Sequence, residues 1–350
     1  KQSEHLFVYQ RSPVYTVPAN RKAMREEVQA EFRRNYREIR ELQQLNFGGV
    51  SNFRLTESVK RAVSKESQKA RPSKILEISE DQLKHMISEQ GLGVLLSFTD
   101  VYSDMRANEI ANQLFREEIS NIVERQDVAN SLLPKDYGLG CKRQVLDRDY
   151  YETFNRPDVT LIDLKQTPIE RISPKGIVTG DSEQELDVII YATGFDAMTG
   201  ALLKSNIIGR QGKTLKEKWQ FGPEAYLGLQ IAGFPNLFTV TGPGSPSVLC
   251  NMLVAIEQHV NWIADCIDYM DSNGFSSIEP TNTAEQDWIA HVNEVAEGTM
   301  YTAPSCNSWY LGANIPGKPR IFMPYVGGFP QYKSRCDAIV QNHYEGFVIS

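Results

Sequence analysis

Asp187-Val-Ile-Ile-Tyr191 runs straight into Ala192-Thr193-Gly194-Phe195-Asp196. A short run of β-branched and aromatic residues ending in a glycine turn predicts a buried strand. A similar arrangement follows downstream, where Asn236-Leu-Phe-Thr-Val-Thr241 reads as a strand leading into Gly242-Pro-Gly-Ser-Pro-Ser247. A helix is predicted after that turn, with Leu253, Ile256, Val260, Ile263, Ile267 and Met270 at alternating steps of three and four. Strands that feed glycine-rich turns opening helices predict an α/β nucleotide-binding architecture.

Working outward, Asp158–Asp163 reads as a strand, and Ile169–Ile172 and Gly176–Val178 as short antiparallel strands. Tyr137-Gly138-Leu139-Gly140 marks the change into this region from a more helical one. Helices are expected over Glu80–Gln90 and Asn108–Glu124, and over the charged stretch Arg21–Asn46. In that stretch Met24, Val28, Phe32, Tyr36 and Ile39 share one face. The polar segment Ser64–Ser73 reads as a surface loop. Near the start, Leu6–Tyr9 is a buried-strand candidate ended by Gln10-Arg11-Ser12-Pro13, since proline biases Ser12 to an extended conformation.

The 350 residues suffice for two ordinary domains, and 41% hydrophobic with 23% charged residues is a globular composition. A net charge of −7 argues against nucleic acid, which requires a basic footprint. Basic residues gather in Arg21–Arg40, but Glu26, Glu27, Glu31, Glu38 and Glu41 interleave with them, which predicts a solvated helix. Cys141, Cys250, Cys266, Cys306 and Cys336 form no CxxC pair, so neither zinc nor a disulfide framework is expected. Free thiols suit a reducing compartment, and a cytoplasmic location is expected. The histidines lack metal-ligand spacing; His259 and His291 read as helix-face residues, and no metal site is expected. No apolar stretch approaches the ~20 residues that span a bilayer. Lys1 is followed by no signal-peptide pattern, and an apolar strand already begins at Leu6. The chain is therefore expected to be a fragment or to borrow structure from elsewhere.

Three groups of residues carry candidate chemistry. Arg11 and Ser12 follow a strand, where an acidic residue selects NAD and an arginine accommodates the extra phosphate of NADP. Lys142-Arg143 is an adjacent cationic pair; on an extended segment the two side chains point to opposite faces, so Lys142 can reach the phosphate while Arg143 faces a flavin. Gly242–Ser247 precedes a helix whose free N–H groups suit negative charge, with Ser247 or Asn251 as its cap and Met252 near a flavin ring. Each has a structural alternative: an ordinary exposed arginine, a surface basic pair, and a simple strand–turn–helix connection.

Taken in order, further motifs carry a resemblance. Ala192-Thr-Gly-Phe-Asp196 is followed by Ala-Met-Thr-Gly200, then by Tyr226-Leu-Gly-Leu229 and Gly233-Phe-Pro-Asn-Leu-Phe238. Gly242-Pro-Gly-Ser-Pro-Ser247, Ile256-Glu-Gln-His259, Ser308-Trp-Tyr310 and Gly312-Ala-Asn-Ile-Pro-Gly-Lys-Pro-Arg320 come next. Phe7-Val-Tyr-Gln-Arg-Ser-Pro13 and Tyr344-Glu-Gly-Phe347 bracket the set. The series resembles the Baeyer–Villiger monooxygenase family. The resemblance implies two dinucleotide-binding (Rossmann-like) domains of the flavoprotein monooxygenase type, both incomplete. Residues 1–195 would be the rest of an NADP domain with a helical insertion over about 18–138, and residues 196–350 the later part of an FAD domain.

The resemblance also implies roles. Arg143 matches the arginine that stabilises the flavin peroxide and the tetrahedral adduct. Arg11, Ser12 and Lys142 match the holders of the NADP 2′-phosphate, and Trp309 a mobile-loop residue closing on the nicotinamide half. Asn251 and Met252 fall at a flavin contact, Ser247, Val248 and Leu249 line the substrate pocket, and Ala192, Thr193 and Gly194 mark the crossover between domains. The implied activity uses FAD and NADPH to insert one oxygen from O2 beside a ketone carbonyl via a C4a-peroxyflavin, giving an ester or lactone. The family's two GxGxxG loops and its FxGxxxHxxxW fingerprint do not occur in these residues; Gly91-Leu-Gly93 and Gly138-Leu-Gly140 have the wrong continuation. The family's active-site aspartate is likewise expected upstream. The alternatives are an N- or S-oxygenating flavin monooxygenase, or a truncated chain inactive by itself that does not retain FAD.

Overall fold

The computed structural model describes residues 3–19, 23–50, 74–180 and 182–350. The chain forms two compact units, one of Lys1–Lys22, Ala70–Gly194 and Ala303–Cys306, the other of Ala23–Lys69, Phe195–Thr302 and Asn307–Ser350. Helices and small sheets mix in an α/β fold, as the sequence predicts.

In the first unit, strand Leu6–Gln10 pairs in parallel with Val159–Asp163, in a register that sets Leu6 against Val159 and Gln10 against Asp163. Parallel partners need a long connection, and it contributes helices Glu80–Gln90, Met105–Ile122, Gln126–Leu132 and Tyr150–Thr153. Ser79 opens the first of these with a capping box to Gln82, and Asp104 caps the second through the Arg106 and Ala107 N–H groups. Ile119, Val128, Leu132, Tyr151, Phe154 and Val159 form a core cluster against this sheet. A second parallel pair joins Thr16–Pro18 to Val145–Asp147, and Ile169–Ile172, Gly176–Thr179 and Ser182–Glu185 form an antiparallel meander.

The second unit is built on helices Met252–Asn273, Asn282–Ala296 and Phe329–Gln341, with strand Ile278–Pro280 antiparallel to Phe347–Ile349. Trp262, Trp288, Tyr332 and Tyr344 dominate its core. Helices Glu26–Arg34 and Tyr36–Gln44 also belong to it, with Arg40 ion-paired to Glu257.

Several expectations are corrected. Asp187–Tyr191 is neither strand nor buried: Val188 is 73% and Ile190 84% exposed. No strand pairs with it among the described residues, so its backbone has no ladder, and Val188, Ile190 and Tyr191 stay exposed with only Ile189 half-buried. Asn236–Thr241 contributes one bridge, Phe238 to Gln230, because Asn236 and Thr241 both take left-handed φ values that interrupt an extended run. The Met252 helix forms as expected, but its inner face matches the expected one only in part: Met270 is buried and Ile263 packs on the core, joined by Val254, Ala255, Gln258, His259, Trp262 and Cys266, while Leu253, Val260 and Ile267 stay exposed. The aromatic core of the unit takes the tryptophan side of the helix. The charged stretch is two helices, broken at Asn35, with Met24 ahead of the first and both Met24 and Tyr36 exposed. Leu6–Gln10 is a strand, but only partly covered. Cys141 and Cys306 form a disulfide, leaving Cys250, Cys266 and Cys336 free and buried. Their separation of 165 residues hides that pairing from any spacing rule. Glu80–Gln90 is a helix with the expected ends; the segment Ser64–Ser73 and Arg21 lie outside the described residues.

Candidate cofactor-binding site

The first unit gathers cations at one end of the parallel pair Leu6–Gln10 and Val159–Asp163. Because Gln10 stands opposite Asp163, the residues that follow both strands leave the sheet at the same end; the Leu164 N–H donates to the Gln10 carbonyl at 2.9 Å. Arg11 and Ser12 follow one strand, both exposed, and Lys165 follows the other. The connecting chain brings Lys142 to them, half-buried with its ammonium 4.1 Å from the Tyr137 ring centroid. Burial first, then the positive charges of Arg11 and Lys165, lower the Lys142 pKa against the opposing pull of Asp136. Asp136 itself pairs with Lys165. Arg143, the next residue, is exposed.

Local sequence explains how the Lys142 segment is set. Asn108, on the Met105 helix, donates from Nδ2 to the Val101 and Leu139 carbonyls at 2.7 and 2.8 Å, and Asn112 Oδ1 accepts the Leu139 N–H at 2.9 Å. The turn lies so close to this helix that a Cβ on Gly138 would stand 2.3 Å from Asn108 Oδ1, so no side chain fits there. Tyr137 donates its hydroxyl to the Pro13 carbonyl at 2.7 Å, tying the same turn to the segment after Arg11-Ser12. The disulfide to Cys306 fixes Cys141, immediately before Lys142. Beyond Arg143 the chain enters the strand Val145–Asp147.

The second unit holds the other candidates. Asn251 caps the Met252 helix, its Oδ1 accepting the Leu253 N–H at 3.2 Å, while its own N–H donates to the Gly48 carbonyl at 2.8 Å. Ser247 is buried, not a cap, and its hydroxyl lies 3.3 Å from Met198 Sδ. Val248, Leu249 and Met252 are half-buried. Trp309 opens the short helix Trp309–Leu311, its ring 4.5 Å from that of Tyr310, and Ser308 caps it through the Tyr310 N–H at 3.1 Å. Ala192, Thr193 and Gly194 are exposed and end the Ala70–Gly194 segment of the first unit.

Sequence reading missed two features. Lys165 joins the cation cluster through strand register, and only pairing the two parallel strands reveals it. Phe47-Gly48-Gly49 reaches the start of the Met252 helix, and a Cβ on Gly49 would sit 3.3 Å from the Asn251 amide nitrogen; the glycine pair after a helix was the available signal.

No family model matches the chain. It is 35% identical over 350 residues to a Baeyer–Villiger monooxygenase of Pseudooceanicola batsensis, covering 99% of this chain and 61% of the relative. It is 36% identical over 355 residues to the cyclohexanone 1,2-monooxygenase of an Acinetobacter species, with 99% and 61% covered. To the phenazine N-monooxygenase PhzNO1 of Lysobacter antibioticus it is 34% identical over 355 residues, with 100% and 62% covered. A solved OTEMO complex with FAD and NADP superposes with a TM-score of 0.87 at 33% identity, covering 99% of this chain and 62% of that one. The chain thus spans somewhat less than two thirds of the length of these relatives, and along nearly all of its own length it is similar to a Baeyer–Villiger monooxygenase.

Proposed function

We propose that this chain is part of an FAD- and NADPH-dependent monooxygenase that inserts one oxygen atom of O2 beside a ketone carbonyl, giving an ester or lactone. The observation that carries the reading is the convergence of Arg11, Lys142 and Lys165 at the ends of two parallel strands, with Arg143 next in the chain. Their mutual repulsion fits a bound phosphate, which would relieve it; NADP therefore fits the residues present. FAD fits only in part: Ser247–Met252 offers a capped helix start and a thioether, but among the described residues no glycine-rich turn joins a parallel strand to a helix where a pyrophosphate would rest.

In this reading Arg11, Ser12 and Lys142 hold the 2′-phosphate, and Trp309 covers the nicotinamide half. Asn251 and Met252 adjoin the flavin, and Ala192, Thr193 and Gly194 form the passage between the domains of residues 1–195 and 196–350. When bound, FAD supplies the activation of O2. The guanidinium of Arg143 stabilises negative charge on oxygen as the ketone carbon becomes tetrahedral. Ser247, Val248 and Leu249 wall the ketone. The exposed run Val188, Ile190, Tyr191 and Phe195 is covered in the whole protein by the part of the relatives' length that lies beyond this match.

The test uses the whole protein with NADPH, 18O2, and cyclohexanone or phenazine as substrate. Ester carrying one labelled oxygen is expected, and Arg143→Ala should cost about a hundredfold or more in ester formation while 2′,5′-ADP still binds. NADPH consumption without labelled ester, or unchanged turnover in Arg143→Ala, refutes the reading. A labelled N-oxide alone would favour the second reading, nitrogen oxygenation, which the similarity to the phenazine N-monooxygenase motivates.

A further inference from the structure

His259 lies wholly buried on the Met252–Asn273 helix, and both of its ring nitrogens are engaged. The Thr241 N–H donates to Nδ1 at 2.8 Å. Nε2 lies 2.8 Å from the Tyr332 hydroxyl, which reaches the Leu227 carbonyl oxygen at 2.7 Å. An Nδ1 that accepts leaves the proton of a neutral imidazole on Nε2. Nε2–H therefore donates to the Tyr332 oxygen, and the tyrosine proton goes to Leu227. Donors and acceptors match in one direction only.

Both ends of this relay land on disfavoured backbone. Leu227 has φ 57° and Thr241 φ 54°, left-handed values that non-glycine residues rarely adopt. The two turns also touch: the Gly242 N–H donates to the Gly228 carbonyl at 3.2 Å, and a Cβ on Gly228 would stand 2.7 Å from the Ser245 amide nitrogen. The Tyr325 N–H closes the same turn onto the Ser245 carbonyl at 2.7 Å. Thr241 is the entry to Gly242–Ser247, and Ser247 begins the stretch assigned to the ketone wall.

We infer that His259 and Tyr332 are positioning residues that hold the Thr241–Ser247 turn, and with it the Ser247–Leu249 wall, in its working conformation. The positioning itself stands apart from the proposed activity; its use for ketone binding rests on that reading. Burial, which lowers the His259 pKa to about 4, keeps the imidazole in the neutral form the relay needs. In the buried core the Tyr332 hydroxyl also meets the Cys336 thiol, which in turn meets Gln258; the acceptor of the Thr241 amide is His259 Nδ1.

Amide exchange of Thr241 and Gly242, read by NMR on this chain without cofactor, tests the positioning. His259→Leu should speed Thr241 exchange about tenfold or more, and His259→Asn, whose Oδ1 replaces the Nδ1 acceptor, should restore most of the protection. Ring 15N shifts should show Nδ1 bare and Nε2 protonated. Unchanged Thr241 exchange in His259→Leu, or the opposite tautomer, overturns the inference. Should His259→Leu not fold, Tyr332→Phe removes one hydroxyl only and should speed Gly242 exchange; an unchanged rate is equally fatal. In the whole enzyme, Tyr332→Phe should raise the ketone KM more than it lowers kcat and shift the flavin absorption band. If both stay unchanged while exchange rises, the link to the ketone wall is wrong though the activity stands; if wild type binds no flavin, the activity reading fails while the exchange result remains.

Discussion

Lys142 is held between an aromatic ring and two like charges, so its energy depends on what anion comes near. The ring and the partial burial leave it little water to screen Arg11 and Lys165. A 2′-phosphate should therefore gain a charge-assisted bond worth about 1.5–3 kcal/mol. Lys142→Met is expected to weaken binding of 2′,5′-ADP at least tenfold and leave 5′-ADP nearly unaffected, as measured by calorimetry on this chain; equal losses for both would contradict the assignment. Lys165→Met should act in the same direction but more weakly, since Asp136 already engages that ammonium. Arg11 and Lys142 were legible in the sequence, because a strand end and a basic pair are local patterns. Lys165 was not, because its place follows from the pairing of Gln10 with Asp163 across the sheet. His259 makes a second residue-level prediction. Its pKa falls from 6.5 to about 4 through burial, so between those values the unfolded chain binds a proton that the native one refuses. Its contribution to stability is complete above 6.5 and is lost as pH falls through about 4. Urea midpoints should decline in that window, and His259→Asn should flatten part of the decline; an identical profile for both proteins would exclude this cause.

Among the elements, those that the sequence predicted well carry their determinants within a few residues. Glu80–Gln90 has its capping box at Ser79 and Gln82, and Ile169–Ile172 meets Gly176–Thr179 across a short turn. Those that failed depend on distant partners. Asp187–Tyr191 has strand composition but no neighbouring strand among the described residues, and the Met252 helix chose its inner face by what packed against Trp262. The disulfide is the extreme case, a covalent tie between segments 165 residues apart. It anchors Cys141 one residue before Lys142, and it lies within the first unit, to which Ala303–Cys306 belongs. Closing so long a loop restricts the unfolded chain, by about 2–4 kcal/mol for typical native disulfides. Cys141→Ser is thus expected to lower the urea midpoint of the first unit, and dithiothreitol should lower that of wild type but not of the variant. Peptide mapping without reductant should recover residues 141 and 306 linked. Recovery of both as free thiols, with no response to reductant, would return these cysteines to the free state expected from their spacing.

For the whole molecule the main energetic feature is apolar surface without cover. Val188, Ile190, Tyr191 and Phe195 are exposed over a short run, and Phe195 is 89% exposed. Leu253, Val260 and Ile267 form a further exposed stripe along one helix, seven residues apart at each step. Fully burying such a side chain stabilises by about 1.5–3 kcal/mol, and contiguous exposed patches mark surfaces that meet other protein. The relatives are longer than this match, which covers 61% of the cyclohexanone monooxygenase, so the simplest cover is the rest of such a polypeptide. Amide exchange over residues 187–195 should be fast in this chain. It should slow by orders of magnitude once the complementary region is present, as a strand ladder forms along Asp187–Tyr191. Binding of the dye ANS should fall in parallel. The side chains provide a control: Ile190→Lys should leave the stability of this chain within about 0.5 kcal/mol, as for an ordinary surface change, yet weaken its association with the complementary region. If the amides of 187–195 exchange equally fast in the longer polypeptide, the run is a true surface loop and its strand-like composition has another origin.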